Sequence, residues 1–213
     1  MKKFKLILFL ALGAFLFNSC EDKDDDKPVT NNYPTIVKLK SLVGISHQNA
    51  ESKITAMGYT LQDTSAMEEG AVMYMYQNTN QTKTYITLKY NNLICASSYD
   101  ETTENTIALT NFEKFSKECI EYMEGKNPIY DGVIYKQVGA EHYETHQNFL
   151  TYYQDNKLNI GSCEERWETA TETVFCQYDK EELYANSSLI YMNMQLLPPG
   201  FITDKTSKKL FGK

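Results

Sequence analysis

Apolar residues recur along this chain at two spacings, and the spacings divide it into helices and strands. Ala50, Ile54 and Met57 stand four and three apart, the period of one helix face. Ser46 precedes them as a residue whose hydroxyl can satisfy the first turn's free N–H groups. Ile45 is placed to staple onto Ala50, and Gly58 follows where a left-handed terminal residue is needed. This predicts a helix over 47–57. A second stripe, Phe112, Phe115, Cys119 and Met123, follows a capping box from Thr110 to Glu113, with Gly125 and Pro128 beyond it. Elsewhere the period is two. Ile86, Leu88 and Tyr90 alternate with Tyr85, Thr87 and Lys89, and Asn91-Asn92 supplies turn residues that tolerate positive φ. A two-residue turn there would set Leu88 opposite Cys95 on an inner face. Short apolar runs predict further strands at Ile36–Leu39, from Tyr59, at Ala71–Tyr76, Leu93–Ser98, Val133–Tyr135 and Phe149–Tyr153, near 158–164, and at Val174–Cys176. Asp100–Thr106 reads as a polar loop and Asp155–Lys157 as a turn. Residues 189–196 alternate Ile190, Met192, Met194 and Leu196 against polar neighbours; they read as a final strand, with a helix left open.

The first apolar run is of another kind. Lys2, Lys3 and Lys5 precede Leu6–Phe17, which holds no charged or polar residue and is too short to cross a bilayer core of roughly 20 residues. A basic head before a short apolar run is the layout of a secretory signal, to be set aside from the fold. Ser19-Cys20 closes it. This ending resembles the lipobox of bacterial lipoproteins, although Phe17 and Asn18 stand where that family has Leu and a small residue. The resemblance implies removal of residues 1–19 and acylation of Cys20, with palmitate among the expected chains; an ordinary signal with a structural Cys20 is the alternative. Buried acyl methylenes contribute about 0.8 kcal/mol each, so two chains hold a protein at a membrane without a spanning helix. Glu21, Asp22, Asp24, Asp25 and Asp26 follow, similar to the export stretch of surface lipoproteins. They also make a self-repelling spacer over 20–34. The location implied is the outer membrane, its outer leaflet in preference to the periplasmic side.

Composition narrows the rest. Hydrophobic residues make up 42% of the chain and charged ones 23%, which suits a folded domain and not a disordered one. The net charge is −7, and the three lysines of the signal mean that the mature chain is more acidic still, so nucleic acid is excluded as a partner. With Cys20 set apart, Cys95, Cys119, Cys163 and Cys176 remain, in a compartment that permits disulfides. There is no CxxC, hence no thioredoxin-like motif or close-spaced zinc knuckle. If 163–176 is a hairpin centred near Ala170, Cys163 and Cys176 face each other and can bridge; two buried thiols are the alternative.

A weak internal repeat accompanies the pattern. Ser46 and Thr110 open the two helices 64 residues apart, and Gly58 and Gly125 close them 67 apart. Segments 85–90 and 149–154, 91–97 and 156–162, and 101–107 and 168–174 match at similar offsets. This predicts an α+β fold of two tandem helix-plus-antiparallel-meander units, 35–106 and 107–200, with helices packed on antiparallel sheet and a basic tail over 201–213. Coincidence among Thr- and Tyr-rich strands is the alternative. That element order resembles the β-lactamase-inhibitor-like and PepSY-like architectures, many of which bind or restrain other proteins.

Candidate chemistry is sparse. His142, Glu144 and His146 are the densest set of metal ligands, but the HExxH spacing is absent and a polar surface loop explains them equally. Ser46-His47 lacks a nucleophile elbow, and no phosphate loop or dinucleotide fingerprint occurs. No cofactor is implied. Sixteen tyrosines against one tryptophan favour strands and binding surfaces, with Trp167, Tyr85 and Tyr153 as candidates. The expectation is a lipid-anchored, non-enzymatic module binding a protein or peptide, which calls for an aromatic patch on the sheet face away from the helices. A glycan binder would instead present coplanar rings edged by Asn or Asp, and a hydrolase a cleft with converging carboxylates or His142 and His146.

Overall fold

The computed structural model describes residues 34–196 apart from 82, 137 and 181–186. The first helix, α1 (Ile36–Lys40), replaces the strand expected there. Thr35 caps it by accepting from the Lys38 N–H, and the buried pair Ile36 and Leu39 is spaced three apart while Val37 is 63% exposed. A strand would have put Val37 and Leu39 on one face; the three-residue spacing belongs to a helix. Helix α2 (His47–Ala56) follows the predicted pattern, with Ser46 accepting from the Asn49 N–H and Gly58 at φ 86°.

Strands β1 (Tyr59–Ala66), β2 (Val72–Asn78), β3 (Thr84–Asn91) and β4 (Leu93–Glu104) form consecutive antiparallel hairpins. Asn92 turns β3 into β4 at φ 64°. Leu88 pairs with Ser97 and not with Cys95, because Tyr90 pairs with Ile94 and Lys89 with Ala96, leaving Cys95 as an extra residue. The bulge lets Ile94 and Ser97, three apart, both face the core; Cys95 is only half-buried and is not a core residue. Beyond it β4 continues through the segment expected to be a loop.

Helix α3 (Asn105–Met123) begins directly at the end of β4. The predicted stripe is buried as expected, but it also includes Ala108 and Leu109, so the helix starts well before Thr110. Thr110 is interior, and its hydroxyl donates to the Thr106 carbonyl instead of capping. Gly125 ends the helix region at φ 75°. Strands β5 (Ile129–Tyr135) and β6 (Ala140–Tyr143) lead to α4 (His146–Asn156), then to β7 (Ser162–Glu168), β8 (Glu172–Asp179) and β9 (Ser187–Leu196). Residues 149–153 are therefore helix, not strand: Thr145 accepts from the Asn148 N–H, and Phe149 and Tyr153, four apart, are the residues that α4 buries. Residues 189–196 are strand, with Ile190, Met192 and Met194 fully buried.

The nine strands of the described residues join one antiparallel sheet in the order β1-β2-β3-β4-β9-β8-β7-β5-β6. Its centre is the β4–β9 seam, where Ser97, Tyr99 and Glu101 face Met194, Met192 and Ile190. Ring contacts between helices and strands fall on one face: His47 stacks on Tyr74 at 3.7 Å, Phe115 meets Tyr99 edge-on at 5.9 Å, and Phe112 lies 6.4 Å from Tyr178. Gly132 admits α4 closely, since a Cβ there would stand 2.7 Å from Phe149 Cδ2. The segment pairs that suggested a repeat do not align equivalent elements, because 85–90 is strand where 149–154 is helix. The fold is mixed α+β on one antiparallel sheet.

Candidate functional site

Period-two alternation gives the sheet a second face, and strand register assembles one continuous row across it. Gln77 pairs with Tyr85, Tyr85 with Asp100, and Asp100 with Tyr191. Tyr191 pairs with Gln177, Gln177 with Glu164, and Glu164 with Val133, which faces His142 on the edge strand. The neighbouring row runs Met75, Thr87, Ser98, Asn193, Phe175, Arg166 and Asp131. The ring contacts that tie helices to strands lie on the opposite face, as do Ser97 Oγ donating to the Leu39 carbonyl and the Lys40–Glu172 ion pair.

Residues of these rows are half-buried against one another. Gln77 Nε2 donates to Tyr85 Oη at 3.1 Å, and Asn193 Nδ2 donates to Tyr191 Oη at 2.8 Å. Phe175 and Tyr191 lie 5.3 Å apart with their planes at 40°. Burial lifts the Asp100 carboxyl from its ordinary range to about 7, with no cation among the described residues offsetting it. Burial also raises Glu164, although Arg166 at 3.8 Å opposes the shift. Tyr191 is raised by its burial, with the Ser98 and Asn193 hydrogen bonds opposing and the Asp100 charge reinforcing the shift. Asn193 Oδ1 is buried without a hydrogen-bond partner among the described residues. Such an arrangement holds acceptors ready for a donor that is not part of this chain's described structure.

The predicted site residues fall on both faces. Tyr85 sits on the face that no helix among the described residues covers, the helix-free face. Trp167 and Tyr153 do not: they are 4% and 1% exposed on the helix side, so their rings are used in packing and offer no face to a partner. Cys163 and Cys176 are free buried thiols, and Cys163 faces Tyr178 while Cys176 faces Glu165. The hairpin's register places each cysteine two residues from the position a bridge would need. His142 and His146 diverge: His142 Nδ1 lies 3.2 Å from Asp131 on the helix-free face, and His146 Nδ1 lies 2.6 Å from Glu165 on the helix side. Glu144 is exposed in the bend between them. Among the described residues no three His, Cys, Asp or Glu side chains converge as metal ligands. Cys20 lies outside the described residues.

Asp100 and Tyr191 were missed by sequence reasoning. Asp100 fell in the presumed loop, although Ser98 and Asp100 continue β4's outward-facing positions and could have been found by extending the strand. No family model, curated protein or solved structure compared with the chain gave a match.

Proposed function

We propose that this chain is a non-enzymatic binding module which holds a protein or peptide partner on the helix-free face of its sheet. The observation carrying the proposal is the Tyr85–Asp100–Tyr191 row: aromatic rings flanking a carboxylate whose charge no cation among the described residues offsets. Aromatic side chains supply contact area with few rotatable bonds, and a partner's donor or cation would remove the cost of keeping Asp100 charged. The 40° tilt between Phe175 and Tyr191 does not make the flat platform on which a sugar ring stacks, which favours a protein surface over a glycan. In this reading the sheet consists of two helix-plus-meander halves, α2 with β1–β4 and α3 with β5–β9, joined at the β4–β9 seam.

The module is anchored through acyl chains on Cys20 after loss of residues 1–19, and it stands on the outer membrane, facing the cell surface, on the acidic 20–34 spacer. Site-specific photo-crosslinking tests the binding face. A photoreactive side chain at Tyr85 or Tyr191 is expected to trap a discrete partner that the same group at Lys117, on the helix side, does not trap. Equal trapping from both faces, or trapping from Lys117 alone, defeats the reading. The anchor is tested apart from it: Cys20→Ala is expected to move the protein out of the membrane fraction, and continued retention would reject acylation.

A further inference from the structure

The helix side of the sheet contains a separate feature that the binding face does not use. A groove of about 400 Å³ opens between α3 and α4. Its walls are mostly apolar, from Phe112 and Ile120 on α3 and Phe149 and Leu150 on α4, and Glu165 of β7 lines it together with His146. Groove volumes of this order suit small organic ligands.

Glu165 is 1% exposed. Its Oε1 accepts twice, from Tyr130 Oη at 2.8 Å and from His146 Nδ1 at 2.6 Å. The imidazole must donate through Nδ1, since a carboxylate offers only acceptors. Burial and the adjacent carboxylate push the Tyr130 hydroxyl well above its ordinary value, which keeps it protonated as a donor. Glu165 Oε2, by contrast, has no hydrogen-bond partner among the described residues. The charges at the rim are already matched: Lys157 pairs with Glu113 at 3.0 Å, and Lys117 with Glu121 at 3.8 Å. Glu165, a wall residue of this apolar groove, therefore carries an unmatched, buried carboxylate oxygen. Leaving such an acceptor unpaired is costly, so a ligand that brings a donor to it is favoured over one that does not.

We propose that the α3–α4 groove is a binding site for a small primary amine, its apolar stem lying between Phe112, Ile120, Phe149 and Leu150 and its ammonium group donating to Glu165 Oε2. An ammonium has three donors and no acceptor, which matches a carboxylate flanked by an imidazole N–H and a phenol that already donate to the other oxygen. A carboxylate ligand would be repelled, and an alcohol would lose the charge.

Trp167, the chain's only tryptophan, makes the test direct, because its ring lies 6.5 Å from His146 and 5.5 Å from Tyr130. The full chain is titrated with n-hexylammonium chloride, n-hexanol and sodium hexanoate while Trp167 fluorescence is followed. The expected result is a saturable change with hexylammonium, at least tenfold weaker binding of hexanol, and none of hexanoate. Glu165→Gln keeps the side chain's shape and is expected to weaken hexylammonium binding at least tenfold, with its near-ultraviolet circular dichroism confirming the fold. Equal affinity for hexylammonium and hexanol, binding of hexanoate, an unchanged Glu165→Gln variant, or no saturable change with any probe overturns the proposal. The comparison of probes needs no variant, so it decides the matter even if Glu165→Gln fails to fold. It is also independent of crosslinking at Tyr85, which reads the other face.

Discussion

Two carboxylates on opposite faces of the sheet have opposite fates. Glu172, on the helix side, loses solvent on burial, which alone would raise its pKa, but hydrogen bonds from Lys126 at 2.8 Å, Tyr122 at 2.8 Å and Lys40 at 3.1 Å outweigh that and hold it below its ordinary value. Asp100, on the opposite side, is buried with no cation among the described residues offsetting it, and rises to about 7. Burial is not what distinguishes them. The helix side brings long side chains from other elements over the sheet, and these supply donors to Glu172; on the other face no cation among the described residues does the same for Asp100. The lesson is that, among the described residues, a face without helices can be half-buried and still electrostatically incomplete.

The comparison can be broken most severely in the core. Phe115→Ala on α3 removes a fully buried ring and should cost about 3–5 kcal/mol in urea denaturation. Phe175→Ala on the helix-free face should cost only about 1 kcal/mol, because its ring is half-buried and leaves no enclosed cavity. Equal losses would mean that the second face is a core as well. Gly132→Ala tests the seating of α4. A new Cβ would stand 2.5 Å from Tyr130 Oη and 2.7 Å from Phe149, and the expected loss is about 2 kcal/mol, read as a fall in Tm.

Charge changes should be smaller and opposite in sign. Glu172→Gln should destabilise by roughly 1–2 kcal/mol at pH 7. Because the folded pKa of Glu172 is depressed, its contribution exists above the unfolded value near 4.3 and disappears as pH falls through the folded one, so the variant and the parent should converge once the pH lies below the folded value. Asp100→Asn should stabilise by about 1 kcal/mol at pH 8. With a raised folded pKa, the native state holds a proton that the unfolded chain has released between about pH 4 and 7. Stability should therefore fall with rising pH across that window in the parent and not in the variant. A parent whose stability is flat there would show that Asp100 has an ionic partner. The least perturbing test uses thiols: Cys95, half-buried at its bulge, should react with a thiol reagent in the native state faster than Cys119, Cys163 and Cys176, whose labelling should await unfolding. Exclusive pairing of Cys163 with Cys176 in denatured, unreduced protein would contradict their register.

Local pattern carried much of the fold. Ser46, Ala50, Ile54 and Gly58 specify α2 through neighbours within one or two turns, and the alternation at 83–90 and 189–196 specifies strands β3 and β9 through a single buried face. The failures occurred where two periods coincide over few residues. Phe149–Tyr153 contains apolar positions two and four apart, and only the Thr145 cap and the packing of Phe149 over Gly132 select the helix. Thr110 satisfies a capping box on paper, yet the stripe's extension to Ala108 carries the helix past it. Of the candidate site, Tyr85 was legible as a binding aromatic, whereas Trp167 and Tyr153 were named for their residue type and proved to be packed inside. Residue type cannot report exposure, because the same ring serves either side of a sheet.

Taken alone, the sequence determined the mixed α+β class, the helix that starts at His47, a chain reversal within Asn91-Asn92, and the final strand. Each depends on short-range spacing or on composition. Tertiary structure alone decided the β4–β9 seam, the bulge at Cys95, the separation of His142 from His146, and the juxtaposition of Tyr85, Asp100 and Tyr191. These depend on which distant strands pair and in what register. A one-residue slip in register moves every side chain to the other face, and no local pattern in this chain specifies that pairing.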